Sequence, residues 1–165
     1  MKTLASINKN NSQMTDPIAE MMLLGNLTMQ KIEAIQEHLK IDYGNNTIIT
    51  SNYAEGVYVR ECIIPAHSFI IGEIHRTEHV ALMVYGHMLV WDPENGTIEL
   101  EGYHKTISKP GIKRVAYTFK ETLFITCHAA KSYPTDEKEI RKIYTFPNYT
   151  SFLQAQDTSL KLQKD

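Results

Sequence analysis

Apolar positions recur at helical spacing through the first forty residues, and from about residue 47 onward they alternate with polar ones in short runs. Ile18, Met21 and Met22 share one helical face. Asp16 and Pro17 mark its start, an acceptor side chain at the N-cap followed by proline at the first helical position. Gly25-Asn26 interrupts the pattern. Thr28 can cap a second segment that carries Ile32, Ile35 and Leu39 on one side. Residues 16–40 therefore read as two short helices or one kinked helix. Five of the seven methionines lie at or before Met29. Such a face suits a partner, and packing on the domain's own sheet or on a second subunit is the expectation.

The texture then changes. Runs rich in β-branched and aromatic residues cover 47–52, 56–65, 69–76, 79–85, 87–92, 96–101, 104–108, 112–119 and 122–130. Pro93-Glu94-Asn95-Gly96 is a hairpin turn, because Asn-Gly readily takes positive φ. Gly86, Gly102 and Pro110-Gly111 predict further breaks. About eight short strands without helices between them indicate an all-β, antiparallel sandwich or barrel. Thr135 can cap a last helix that runs to Tyr144, and Pro147 stops it. The expected organisation is a flexible leader over 1–14, a helical segment over 15–43, a β domain over 44–150 and a polar C-terminal tail over 151–165.

The 165 residues suit one domain, and 42% hydrophobic content excludes disorder along the whole chain. The net charge of -2 lacks the basic surplus that phosphate-backbone binding needs, so a nucleic-acid partner is not expected. Cys62 and Cys127 lie in strand-like runs and read as two buried thiols. The start of the chain has no signal-peptide core, and no run is long enough to cross a bilayer. A cytoplasmic, reducing location with no membrane partner is the expectation.

The chemistry concentrates in histidines. Glu73 and His75 are two apart on a strand and point to the same face. His79 opens the next strand after a tight turn and can return toward His75. Phe124, Thr126 and His128 share one face of the last strand. In a small barrel these inward positions converge on one cavity. Among the other histidines, His38, His67, His87 and His104 read as surface residues, and His104 can approach the barrel mouth.

Glu73-x-His75-x3-His79-x6-Gly86 resembles the first signature of the cupin superfamily. That signature reads His-x-His, three or four residues, Glu, six residues, Gly. Glu73 stands in place of the first His, and His79 in place of the Glu. The run from Lys109-Pro110-Gly111 to Arg114 resembles the second signature, Pro-x-Gly-x2-His, with Arg114 replacing the His. The runs 53–61, 72–79, 108–114 and 124–128 also resemble small cupin-like proteins of tailed phages, over roughly residues 50–150. The resemblance implies a cupin-type jelly-roll barrel with N-terminal helices and a short C-terminal helix. It also implies a bacterial host cell as the setting and pairing into a homodimer.

Neutral imidazoles are common ligands of zinc, manganese, iron and nickel. His75, His79 and His128 can form a three-His site, with Glu73 as fourth ligand or as the acceptor that orients a ring. Arg114 stands at a ligand position of the resembled family and suits a carboxylate or phosphate, unless Glu73 neutralises it internally. Arg60 alternates with Tyr58 and Cys62 and can add to it. Tyr85 shares parity with His79 and is the candidate acid of a metal-free isomerase or epimerase. Two classes of function follow for the cavity. One is a module that binds a small anionic ligand through Arg114, Glu73, Tyr85 and Thr126, with or without a divalent metal. The other is a metal-dependent enzyme of oxygenase, isomerase or lyase type. A structural or assembly role is the third reading.

Overall fold

The computed structural model describes residues 17–23, 25, 27–39 and 46–162. The expected leader and the Asp16 cap lie outside these residues. Two helices come first, α1 (Pro17–Leu23) and α2 (Met29–Leu39). The turn between them places Gly25 at φ 68°. Thr28 Oγ1 accepts from the Lys31 N–H at 3.3 Å, which is the expected cap. Eight strands follow: β1 (Ile48–Ala54), β2 (Val57–Ile64), β3 (Phe69–Ile71), β4 (Ile74–His75), β5 (His79–Asp92), β6 (Gly96–Glu101), β7 (His104–Ser108) and β8 (Val115–Ala129). The chain ends in α3 (Glu137–Tyr144), β9 (Thr145–Phe146) and α4 (Tyr149–Leu162).

The architecture is an all-β, antiparallel jelly roll built around two long bent strands. The first half of β5 pairs with β7 and with the second half of β8. Its second half pairs with β6 and with the first half of β8. Two sheets result, β1-β2-β8-β5-β7 and β3-β8-β5-β6, with β5 and β8 passing from one to the other. Gly86 and the Lys120-Glu121 stretch do not end strands, as the sequence suggested. Gly86 sits inside β5 at φ 129°, where the register against β8 shifts. A Cβ at Gly86 would stand 2.7 Å from Thr122 Cα, so the close crossing requires glycine.

The core has three parts, one of which joins Tyr58 and Ala130 to Ile140 and Tyr144 of α3. Helices α1 and α2 cover the outer face of the second sheet, where Met22 and Ile32 meet Leu89, Trp91, Val115 and Tyr117. Thr97 Oγ1 donates to the Met22 carbonyl at 2.7 Å, and the buried Lys113 ammonium donates to Gln36 Oε1. The Met22 part of the methionine-rich face thus packs on the domain's own sheet. Between the sheets, Met83, Met88, Val90 and Leu100 form the remaining cluster.

The C-terminal region departs from expectation. Asp136, not Thr135, caps α3, and Asp136 Oδ1 accepts from the N–H groups of Lys138 and Glu139 at 3.1 Å. Residues 151–162 of the expected polar tail belong to helix α4, and 163–165 lie outside the described residues. Phe152 fastens the helix by lying on Gly111, where a Cβ would come within 2.1 Å of the ring. Strand β9 holds β4 as a two-stranded ribbon. Arg76 strengthens that clasp: its N–H donates to Tyr144 O at 2.9 Å, its Nε to Thr145 O at 2.7 Å, and its guanidinium lies over Phe146.

Candidate metal centre

His128 lies on β8 beside Tyr58 of β2, and His79 opens β5 one step beyond the Val80–Cys127 pair. The β4–β9 ribbon brings His75 to the same point, and the Gly111 N–H fixes it by donating to the His75 carbonyl at 3.0 Å. The three rings lie 4.2, 4.3 and 4.9 Å apart, centre to centre. One ring nitrogen from each falls within 4.8 Å of the others.

The electrostatics suit a cation ligand set. Burial, then the charges of its neighbours, hold His75 well below the usual imidazole range. Burial likewise lowers His79, and pushes His128 down to about 3. All three rings are neutral near pH 7 and keep lone pairs. Thr77 O lies 3.2 Å from His79 Nδ1, so Nδ1 carries the proton and Nε2 is left as acceptor. His75 Nδ1 and both nitrogens of His128 are buried without a hydrogen-bond partner. Each such orphan costs about 1–3 kcal/mol unless something binds it. The residues present therefore fit a divalent transition metal.

Two adjoining cavities meet at this centre. The smaller, about 140 Å³, is lined by Tyr58, Arg60, His75, Thr126, His128 and Tyr144. The larger, about 210 Å³, runs between the sheets past His79, Glu73, Thr126 and Arg114 toward Met83 and Leu100. Thr126 faces both, with its hydroxyl buried and unpaired. Arg60 is buried and lines the smaller cavity, paired with Glu137 at 2.9 Å, whereas Arg114 lines the larger one. His104 lines the rim of the larger cavity.

The structure decides one open alternative and changes several expectations. Glu73 does not pair with Arg114; it lies 3.4 Å from Arg141 Nε, contributed by α3. Arg114 instead donates from Nη1 to Ser108 Oγ at 2.6 Å and approaches Asp92 at 3.7 Å. Tyr85 is outside both cavities, 42% exposed, and donates to Glu121. Its parity with His79 is broken by Val84, the extra residue where Met83 pairs with Phe124 but Tyr85 with Leu123. Among the histidines taken as surface residues, His87 is half-buried and bound to Glu99 at 2.8 Å, whereas His67 is exposed as expected, 3.1 Å from the Tyr117 hydroxyl. Cys62 and Cys127 are free thiols and only half-buried.

Sequence reasoning missed Ser108, Asp92, Arg141 and Tyr144. Ser108 was visible as the residue closing a strand opposite His79. Arg141 and Tyr144 reach the site from a helix, and no local pattern announces that.

Fold and site together define a jelly roll with a buried three-histidine centre opening on a cavity. No protein-family model and no curated protein matches the sequence. Among solved structures, a cupin superfamily protein of Desulfitobacterium hafniense is similar over 55% of this chain and 84% of that one, at 8% identity and a TM-score of 0.45. An RmlC-like cupin family protein of Methanocaldococcus jannaschii with a double-stranded β-helix covers 53% and 86%, at 8% identity and TM-score 0.44. A cupin domain of Bordetella pertussis covers 55% and 98%, at 20% identity and TM-score 0.42. These are likenesses of fold. The functional argument rests on the residues of this chain. Among the described residues, no helix is long and apolar enough to cross a membrane.

Proposed function

We propose that this protein is a single-domain, cupin-like binder of a small anionic ligand, with a divalent transition metal held by His75, His79 and His128. The observation that carries the reading is the set of buried, unpartnered ring nitrogens converging on one point. Zinc, manganese, iron or nickel suits three neutral imidazoles. Such an ion supplies a Lewis acid with open positions toward the cavity. Arg114 supplies the second half of the site. Asp92 Oδ2 answers its charge only at 3.7 Å and also accepts from Asn95 Nδ2 at 3.0 Å, while Asp92 Oδ1 accepts from the Glu94 and Asn95 N–H groups at 2.9 and 2.8 Å. Its planar fork is suited to a carboxylate or phosphate.

A metal-dependent enzyme of oxygenase, isomerase or lyase type is the second reading. What favours it is the cavity beside the three ligands, with room for a substrate. The phage kinship suggested by the sequence runs, and with it a bacterial cytoplasm, belongs to this proposal. So does a homodimer. Among the described residues, strand β1 has no partner on its outer edge, with Ile48 62% exposed. A single-chain mass at every concentration in light scattering would count against it.

The test is metal content on protein purified without a His tag or chelator. About one equivalent per chain is expected, and a His75→Ala, His79→Ala double variant that keeps its fold should lose it. No uptake after soaking with zinc, manganese, nickel and ferrous iron would refute the metal centre.

A further inference from the structure

The larger cavity has a chemical gradient that narrows the ligand beyond "anion". Its polar end holds Arg114, Glu73 and the imidazoles of His75 and His79. Ser108, buried and opposite His79 across the β5–β7 ladder, fixes the guanidinium there. Beyond that end, and short of a rim that carries His104, Lys105 and Thr106, the apolar stretch of the wall comes from Met83, Met88, Val90, Leu100, Ala116 and Phe124. None of the side chains in that stretch offers an N–H or O–H donor. A sugar, polyol or phosphate ester pushed against them would lose its hydrogen bonds to water without replacement. An apolar group would gain by leaving water.

Size sets a further limit. An apolar cavity of roughly 150 Å³ accommodates benzene. The volume here, about 210 Å³, leaves room for a short acid arm as well. Met83 and Met88 are unbranched and adapt to an irregular outline. At the rim stand His104 and the exposed Thr106, so the cavity reaches the surface.

We propose that the ligand is an apolar monocarboxylate, with its carboxylate on Arg114 beside the histidine centre and a body of about one aromatic ring among the Met83–Phe124 walls. This deepens the reading above and rests on its anion site at Arg114. The body is what the cavity selects, and the single negative charge is what Arg114 selects.

Calorimetric titration of the full-length, metal-loaded protein tests this with four probes: phenylacetate, acetate, phenylacetamide and inorganic phosphate. Phenylacetate is expected to bind at least tenfold more tightly than acetate, phosphate or the neutral amide. Arg114→Gln should weaken phenylacetate at least tenfold, and Arg114→Lys by less. Ala116→Leu, which fills the apolar end, should weaken phenylacetate and leave acetate unchanged. Metal content and thermal unfolding on the same samples show that each variant is folded and loaded. If acetate or phosphate binds as tightly as phenylacetate and depends on Arg114, the apolar-body inference is overturned while the anion site stands. If phenylacetamide matches phenylacetate and Arg114→Gln changes nothing, both the anion site and this inference fall. Absence of binding by every probe overturns both as well.

Discussion

Replacing Gly86 by alanine tests whether the bend in β5 is as tight as its geometry implies. The residue sits at φ 129°, a region that side chains avoid at about 1–3 kcal/mol. A Cβ there would lie 2.2 Å from Thr122 Oγ1 and 2.7 Å from both Thr122 Cα and Cβ. Ordinary carbon contacts sit near ~3.5–4.0 Å, so β5 and β8 must part by about 1 Å where they cross. The hydroxyl can rotate away, but the Cα cannot. Strain and lost pairing together give a destabilisation of about 3–5 kcal/mol. The protein contains its own control. Gly96 also has positive φ, 66°, but a Cβ there meets nothing within 4 Å. Gly96→Ala therefore carries the backbone cost alone, about 1 kcal/mol. Urea unfolding, followed by the fluorescence of the one tryptophan, buried Trp91, reads both variants. If Gly86→Ala costs no more than Gly96→Ala, the close crossing is wrong, and with it the account of how the two sheets share their long strands.

Chelator-treated protein should lose stability on acidification. His128 falls from an ordinary 6.5 to about 3 on folding, first through burial and then through the charges of His79 and Arg60. Below pH 6.5 the unfolded chain takes up a proton that the folded one refuses. Stability thus declines from about pH 6.5 toward pH 3, by about 2 kcal/mol at pH 5 from this ring alone. His75 and His79 shift in the same direction and add to the loss. A urea midpoint that is flat from pH 8 to pH 5 would contradict this. Phe152→Ala removes the ring seated on Gly111 and should cost about 3 kcal/mol, with α4 becoming the first region to exchange its amide hydrogens. Asp136→Ala deletes a cap that accepts two N–H groups and should cost about 1 kcal/mol in the same unfolding assay. Tyr85→Phe should change neither metal content nor the urea midpoint by more than about 0.5 kcal/mol, since its hydroxyl meets only Glu121 at the surface.

Much of the strand pattern was legible because alternation is local. The run at 96–101 is strand β6, and the one at 104–108 is strand β7. What could not be read locally was continuity. Gly86 looks like a stop, yet β8 supplies partners on both sides of it and carries the strand through. One inserted residue, Val84, then reverses every inward assignment that follows, which is why Tyr85 left the site. The inward set upstream of the bulge, His79 and Ala81, and the set Phe124, Thr126 and His128 on β8, do line the cavities. The partners of charged residues depend on distant elements. Glu73 and Arg114 are both inward, but Arg141 arrives from α3 and Asp92 from the end of β5, and each takes one of them. Helix α4 was missed because one aromatic anchor, Phe152, in a polar stretch leaves no periodic stripe.

The dependence of β4 on β9 has a consequence for the order in which the site is made. During synthesis His75 leaves the ribosome early, and His79 follows almost at once. Within the described structure, however, β4 has no strand partner other than β9, which is added only after all of β8 and α3. A nascent chain paused after Ala129 would possess every imidazole of the centre and still lack the ribbon that aims one of them. If the centre takes a cation as proposed, its capture in the final geometry would be a late event, timed by the arrival of Thr145 and Phe146. Chains that stall before that point would offer loosely held histidines to whichever ion came first.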